Sequence, residues 1–314
     1  MSGPLLTSSR LEVLASRGMT SELLWPPDDP PRQGLGLMRL RHPEAGAPSD
    51  PDRDPVAVVH AAIDAGVPLL DTAEMYGNEE LVGKTVRGRR DQVLLCSKFG
   101  VRWGDSGRFD DWSVHADAAT VVSSCEGSLR RLGVDVIDLY YLHHRSEITP
   151  IEETATAMAE LVRAGKIRAI GLSNVTVDDL RRAHAVHPVT ALQEQWSLGA
   201  RDVEAMVPTA AELGITLIAH SPLGHGELAG SAGTSLSTAL AEVASTHGVT
   251  SGQVALAWVH HQGQRHGLPV VPLPGTTSVR HLRANVAAGA LVLEPKELAR
   301  VDGIGVTTVE PTHR

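Results

Sequence analysis

The sequence predicts an α/β fold, a closed (β/α)8 barrel of the TIM type. Two observations predict it. Eight short apolar, often β-branched runs alternate with longer amphipathic stretches. The chain has 314 residues, and one barrel needs roughly 250. Strands alternating with helices imply right-handed βαβ units and a parallel sheet. Eight units favour closure, whereas an open doubly wound sheet usually has about six strands.

In chain order, residues 1–32 are expected to form a peripheral, proline-rich extension, and residues 33–314 a single barrel domain. The run Pro26-Pro27-Asp28-Asp29-Pro30-Pro31 suits neither a helix nor a central strand. Strands are expected near 33–38, 67–71, 92–97, 135–142, 167–172, 189–193, 215–220 and 269–273. Helices are expected at 55–65, 79–87, 115–132, 152–164, 176–186, 203–213 and 236–261. Val121, Val122, Leu129 and Leu132 recur at helical spacing, and Gly66, Gly165 and Gly214 stand where helix C-terminal caps belong.

Composition excludes several function classes. The formal net charge of -9 disfavours nucleic acid or an anionic membrane as the main partner. No stretch is apolar enough to span a bilayer. Arg10 and Glu12 interrupt the start, so no signal peptide is read there. Cys96 and Cys125 lack metal-ligand spacing and read as reduced core thiols. A cytoplasmic protein without a metal site is expected, as a monomer or weak homo-oligomer.

In a barrel of this type, chemistry sits at the C-terminal ends of the strands. The second run leads into Asp71-Thr72-Ala73-Glu74-Met75-Tyr76. The third leads to Lys98, one of only four lysines, and the fourth to His143. Singly, each has a structural explanation: a cap, a packed ring, a solvated amine, a satisfied polar group. Together, on three consecutive strand ends, they fit hydride addition to a carbonyl. The developing alkoxide needs a proton. Tyr76 supplies it as general acid, but a free phenol has a pKa of about 10, poorly matched to neutral pH. A Lys98 ammonium is expected to lower it. Asp71 orients Lys98, and His143 donates to the carbonyl oxygen.

The segment Asp71-Thr72-Ala73-Glu74-Met75-Tyr76-Gly77, with Gly66 before it and Gly83-Lys84 after, resembles the signature of the aldo-keto reductase family. So do Lys166-Ile167-Arg168-Ala169-Ile170-Gly171-Leu172-Ser173-Asn174, Ser221-Pro222-Leu223-Gly224 and Pro272-Leu273-Pro274-Gly275-Thr276. The resemblance spans about residues 33–305. It implies reduction of aldehydes or ketones with NAD(P)H, and its tetrad falls on Asp71, Tyr76, Lys98 and His143. The C-terminal third is similar to bacterial members, including pyridoxal-reductase-like ones. A non-catalytic NADPH-binding regulatory subunit of the same fold is the alternative. A barrel lyase or isomerase fits less well, because Lys98 is accompanied by Tyr76.

The resemblance also implies a cofactor site. Gly34-Leu35-Gly36-Leu37-Met38-Arg39 lacks the third glycine of a dinucleotide fingerprint; by resemblance it lies beneath the nicotinamide, with Gly36 and Met38 in contact. Ser173, Asn174 and Gln193 have the donors and acceptors to hold a carboxamide. His220 stands where the family usually has a stacking aromatic, a departure that puts cofactor tightness and pH dependence in question. Ser221 and the main chain near Leu223 meet the pyrophosphate. Gly275, Thr276, Ser278, Arg280 and Asn285 meet the adenosine and its 2′-phosphate, and backbone N–H groups at a helix N-terminus favour an anion there. The usual lysine near Thr277 and glutamate at Ala284 are absent. Arg280 favours NADPH over NADH. Four of the ten aromatics, Phe99, Trp103, Phe109 and Trp112, follow or adjoin Lys98, and Trp103 or Trp112 is a candidate wall for a bulky substrate.

Overall fold

The computed structural model describes residues 24–26, 29–42, 50–106, 108, 110–230 and 233–304. Eight parallel strands form the central sheet: β1 (Gly34–Gly36), β2 (Leu69–Asp71), β3 (Leu94–Phe99), β6 (Ile137–Leu142), β7 (Ile167–Ser173), β8 (Val189–Gln195), β9 (Thr216–His220) and β10 (Val270–Leu273). Their spatial order follows the chain. A parallel bridge between Gly36 and Gly275 closes the barrel, with the Gly36 N–H donating to the Pro274 carbonyl at 3.1 Å. Each expected strand is present.

The helices lie between the strands: α1 (Pro55–Asp64), α2 (Glu79–Thr85), α3 (Ala118–Leu132), α4 (Ile151–Arg163), α5 (Val177–Val186), α6 (Val207–Glu212), α7 (Ser235–His247), α8 (Ser251–His266), α9 (Val279–Ala287) and α10 (Pro295–Asp302). Gly66, Gly165 and Gly214 are all left-handed, as their cap positions require. The single helix expected at 236–261 is two. Gly248 ends α7 at φ 65°, and Thr250 starts α8 with a capping box closed by Gln253. Residues 203–213 split into a 3₁₀ turn (Asp202–Ala205) and α6, which has a proline in its first turn.

Alternate strand residues build two apolar layers, because side chains alternate along a strand. Leu70, Leu95, Tyr140, Leu142, Ile170, Leu172 and Leu192 face the helices. Leu69, Leu94, Cys96, Leu139, Tyr141, Ala169, Ala191, Ile218 and Val271 fill the barrel. Tyr141 fits there because its neighbour across the ladder is Gly171: a Cβ on Gly171 would stand 2.3 Å from the Tyr141 ring. The described end of the 1–32 segment is not peripheral. Leu24 and Trp25 are buried in the inner cluster, and Trp25 Nε1 donates to Thr216 Oγ1 at 3.0 Å at the start of β9. They plug the end of the barrel opposite the strand C-termini.

After β3 the chain forms a hairpin that sequence patterning did not indicate: β4 (Val101–Trp103) pairs antiparallel with β5 (Trp112–Val114), and Trp103 lies opposite Trp112. Among the described residues, no helix is long and apolar enough to cross a membrane.

Candidate active site

All eight strands are parallel, so their C-terminal ends share one face of the barrel. Asp71 ends β2 there. A 3₁₀ turn (Glu74–Tyr76), stopped by left-handed Gly77, then brings Tyr76 back over the strand ends. Asn78 fixes this turn to the first loop. It accepts from Thr72 Oγ1 at 2.6 Å and donates to the Leu37 and Leu40 carbonyls at 2.7 and 3.1 Å. Lys98 lies inside β3, one residue before its end, not beyond the strand as the sequence suggests. His143 follows β6 directly, with its N–H on the Phe99 carbonyl at 3.0 Å.

These side chains converge. The Lys98 ammonium is 1% exposed and forms an ion pair with Asp71. It also donates to the Thr72 carbonyl at 3.0 Å and to the Tyr76 hydroxyl at 3.4 Å. Gln193 Nε2 donates to the other Asp71 oxygen at 2.9 Å. The Tyr76 and His143 rings meet edge to face, 5.7 Å between centroids.

The protonation states follow from burial and charge. Burial is the largest influence on the Tyr76 phenol and raises its pKa; the Lys98 charge pulls the other way and does not win. This corrects the expectation of a lowered phenol. The lysine does act as expected, but the site is dry enough for desolvation to outweigh it. Lys98 itself is pulled down by burial, yet Asp71 and Tyr76 hold it above the ordinary lysine value. His143 is driven well below the usual histidine range, first by burial and then by Lys98, His220 and His144. The arrangement is therefore a protonated phenol, a charged ammonium and a neutral imidazole at one point.

The other expected site residues end or follow strands of the same barrel. Gly36 forms the barrel-closing bridge, and Met38 stands two residues beyond β1, exposed. Ser173 ends β7 beside Gln193, its partner across the ladder. Asn174 is left-handed at φ 52°, and its amide donates to the His143 carbonyl at 2.9 Å and to Ser173 Oγ at 3.1 Å. His220 ends β9; burial pulls its imidazole down to about 3, and Nδ1 lies 3.2 Å from Ser221 Oγ. Ser221 is left-handed at φ 49°, two residues before Leu223. Non-glycine residues rarely adopt this conformation, and such strain clusters at functional sites.

Gly275 and Thr276 lead to Ser278, which caps α9, and Arg280 and Asn285 lie on that helix. The N–H groups at its start have partners within the chain. The Val279 N–H donates to the Asp52 carbonyl oxygen at 2.8 Å, the Arg280 N–H to the Asp52 carboxylate at 2.8 Å, and the His281 N–H to Ser278 Oγ at 3.2 Å. Ser278 Oγ also donates to Asp52 at 2.5 Å, and Arg53 reaches Thr277 Oγ1 at 3.4 Å. The chain supplies its own anion to this helix, from a loop 226 residues away in sequence.

Of the aromatics after Lys98, Phe99 belongs to the core, stacked on Tyr140 at 5.0 Å. Trp103 and Trp112 are partly exposed. Trp103 Nε1 donates to the Met75 carbonyl, next to Tyr76, at 3.0 Å, and the Trp112 ring packs on His144 at 5.0 Å. Phe109 lies outside the described residues. Asp52, Asn78 and Glu194 escaped sequence reading. Asn78 and Glu194 adjoin motif residues, but their partners are set only by the fold. A cavity of about 630 Å³ between α2, the end of α3, the segment leading into β6 and Arg168 of β7 holds none of the expected site residues.

A barrel with a buried lysine–carboxylate pair beside a tyrosine and a histidine defines a class of enzymes that act at strand C-termini. The aldo/keto reductase family model matches residues 33–306, and the chain belongs to that family. Solved structures agree. An aldo/keto reductase from Klebsiella pneumoniae in complex with NADP and acetate is 34% identical, covering 88% of this chain and 92% of its own, with a TM-score of 0.72. An aldo-keto reductase from the same organism in complex with NADPH is 33% identical, covering 88% and 91%, with a TM-score of 0.73. A glycerol dehydrogenase from Gluconobacter oxydans is 26% identical, covering 94% and 99%, with a TM-score of 0.79.

Proposed function

We propose that this chain reduces an aldehyde or ketone to an alcohol with NADPH, using Tyr76 as general acid. One observation carries the assignment: the Lys98 ammonium sits between the Asp71 carboxylate and the Tyr76 hydroxyl, with no water-exposed path for its charge. Tyr76 keeps its proton at neutral pH because its pKa is raised. As the carbonyl oxygen gains negative charge, that proton moves from Tyr76 Oη to it. The phenolate left behind is stabilised by Lys98 at 3.4 Å. Neutral His143 donates one N–H to the same oxygen and fixes its direction. Asp71 keeps Lys98 charged and aimed, and Gln193 steadies Asp71.

The donor set fits the cofactor. Ser173 and Asn174 beside Gln193 offer a hydroxyl and two amides, a match for a carboxamide's donor and acceptor. Gly36, Met38 and the neutral His220 ring would hold the nicotinamide, and Ser221 and Leu223 would hold the pyrophosphate. Gly275, Thr276, Ser278, Arg280 and Asn285 border the adenosine end, and the guanidinium of Arg53 joins Arg280 there. When bound, NADPH supplies the hydride.

For the substrate, Trp103 and Trp112 favour a bulky or aromatic aldehyde, with pyridoxal among those to test. The buried thiols of Cys96 and Cys125, the latter pushed up to about 12, suit a reducing compartment such as the bacterial cytoplasm. A monomer or weak homo-oligomer suffices, because the site is assembled from one chain. The test is NADPH oxidation, followed by absorbance, over a panel of aldehydes. Tyr76→Phe is expected to abolish turnover while NADPH still binds. Turnover that survives in Tyr76→Phe would disprove the assigned acid, and wild-type binding without any oxidation would support the regulatory alternative.

A further inference from the structure

Glu194 follows Gln193 on β8 and points to the opposite face of the sheet, as alternation requires. One of its carboxyl oxygens accepts the Val175 N–H at 3.2 Å, and the neighbouring Asn174 N–H also favours the charged carboxyl. No charged side chain among the described residues acts on it. Burial pushes the carboxyl up to about 7. Burying an acid without a cationic partner is unfavourable, and here the two main-chain N–H groups are its compensation.

Those N–H groups belong to a strained turn. Asn174 is held at φ 52°. Its side-chain amide carries the His143 carbonyl at 2.9 Å, and its own carbonyl accepts the Arg145 N–H at 3.2 Å. Glu194 thus reaches the reaction centre in two steps, from its carboxyl to the Asn174–Val175 peptide and from the Asn174 side chain to the His143 main chain. We propose that Glu194 is a positioning residue: it clips the Asn174–Val175 turn in place, and so sets both the amide that meets the nicotinamide carboxamide and the main chain that carries His143. This rests on the reductase reading above.

The test uses the full chain as wild type, Glu194→Gln, Glu194→Ala and a core control, Leu161→Ala on α4. Two measurements are made: amide hydrogen exchange over residues 173–177 without cofactor, and NADPH affinity by fluorescence alongside steady-state kinetics. Glu194→Ala is expected to speed exchange in that segment. It should raise the NADPH Kd and KM about tenfold, the scale of one or two lost hydrogen bonds, with a smaller fall in kcat. Glu194→Gln keeps an acceptor oxygen and is expected to restore both properties. Leu161→Ala lowers Tm but leaves exchange at 173–177 and Kd at wild-type values. Unchanged exchange in Glu194→Ala, or the same changes in Leu161→Ala, would overturn the clip whatever the wild type does with NADPH. Faster exchange in Glu194→Ala, with a wild type that does not bind NADPH, would refute the reductase reading and keep the clip.

Discussion

Lys98 and Asp71 form a buried pair, and replacing either strands the other. Lys98 is 1% exposed and Asp71 3%. Lys98 has no other carboxylate partner among the described residues; its remaining bonds go to the Thr72 carbonyl and the Tyr76 hydroxyl. Without Lys98, Asp71 keeps only the Gln193 amide. Removing one member of such a pair costs about 3–5 kcal/mol. At about 2–4 °C per kcal/mol for domains near this size, Lys98→Met and Asp71→Asn are each expected to lower Tm by roughly 6–20 °C. The double variant removes both charges and is expected to regain most of that stability, since neutral replacement of a buried pair is often tolerated. It should regain no turnover: losing the assistance to the acid removes a factor on the order of 10²–10⁴. Urea unfolding gives the double-mutant cycle, and NADPH oxidation gives the rates. A double variant as unstable as the sum of the singles would refute the coupling. Wild-type turnover in Lys98→Met would refute the role of the ammonium.

Burial holds His260 at about 4 and His220 at about 3, below the unfolded histidine value. The unfolded chain therefore binds more protons below about pH 6.5, and stability is lost on acidification from there toward pH 4. His260→Gln should flatten that limb by on the order of 2–3 kcal/mol in urea titrations. Glu194 opposes it: held at about 7, it favours the fold at low pH and loses that contribution as pH rises through 7, so Glu194→Gln should remove a decline between about pH 4.3 and 7. An unaltered profile in either variant would contradict the burial account. Asp52 places a carboxylate at the proposed 2′-phosphate end, so Asp52→Asn is expected to tighten NADPH several-fold without a matching gain for NADH; parallel changes for both would move the phosphate elsewhere. Trp103→Ala is expected to raise KM for bulky aldehydes more than for small ones, and identical kinetics across both would remove Trp103 from the pocket.

Much of the barrel was legible because its signals are local. Apolar runs, amphipathic stretches and left-handed glycines depend on neighbours in sequence, and all eight strands fall near their expected places. The break at Gly248 was missed because the apolar periodicity continues across it into α8, although Gly248 and the Thr250–Gln253 box mark it. The β4–β5 hairpin gave too few alternating residues to register. The burial of Leu24 and Trp25 was hidden by the prolines beside them, which argue against regular structure but not against packing.

By itself, the sequence determined the fold class and the four polar side chains at three strand ends, because strand polarity brings successive C-termini to one face. It also determined the family, through motifs whose order survives in the chain. Only the tertiary structure decided how those groups behave. The Tyr76 phenol is raised because desolvation outweighs one nearby ammonium, and the start of α9 is already satisfied by Asp52. Both outcomes depend on how far water is excluded and on which distant segment arrives first, and neither quantity is written in local residue order.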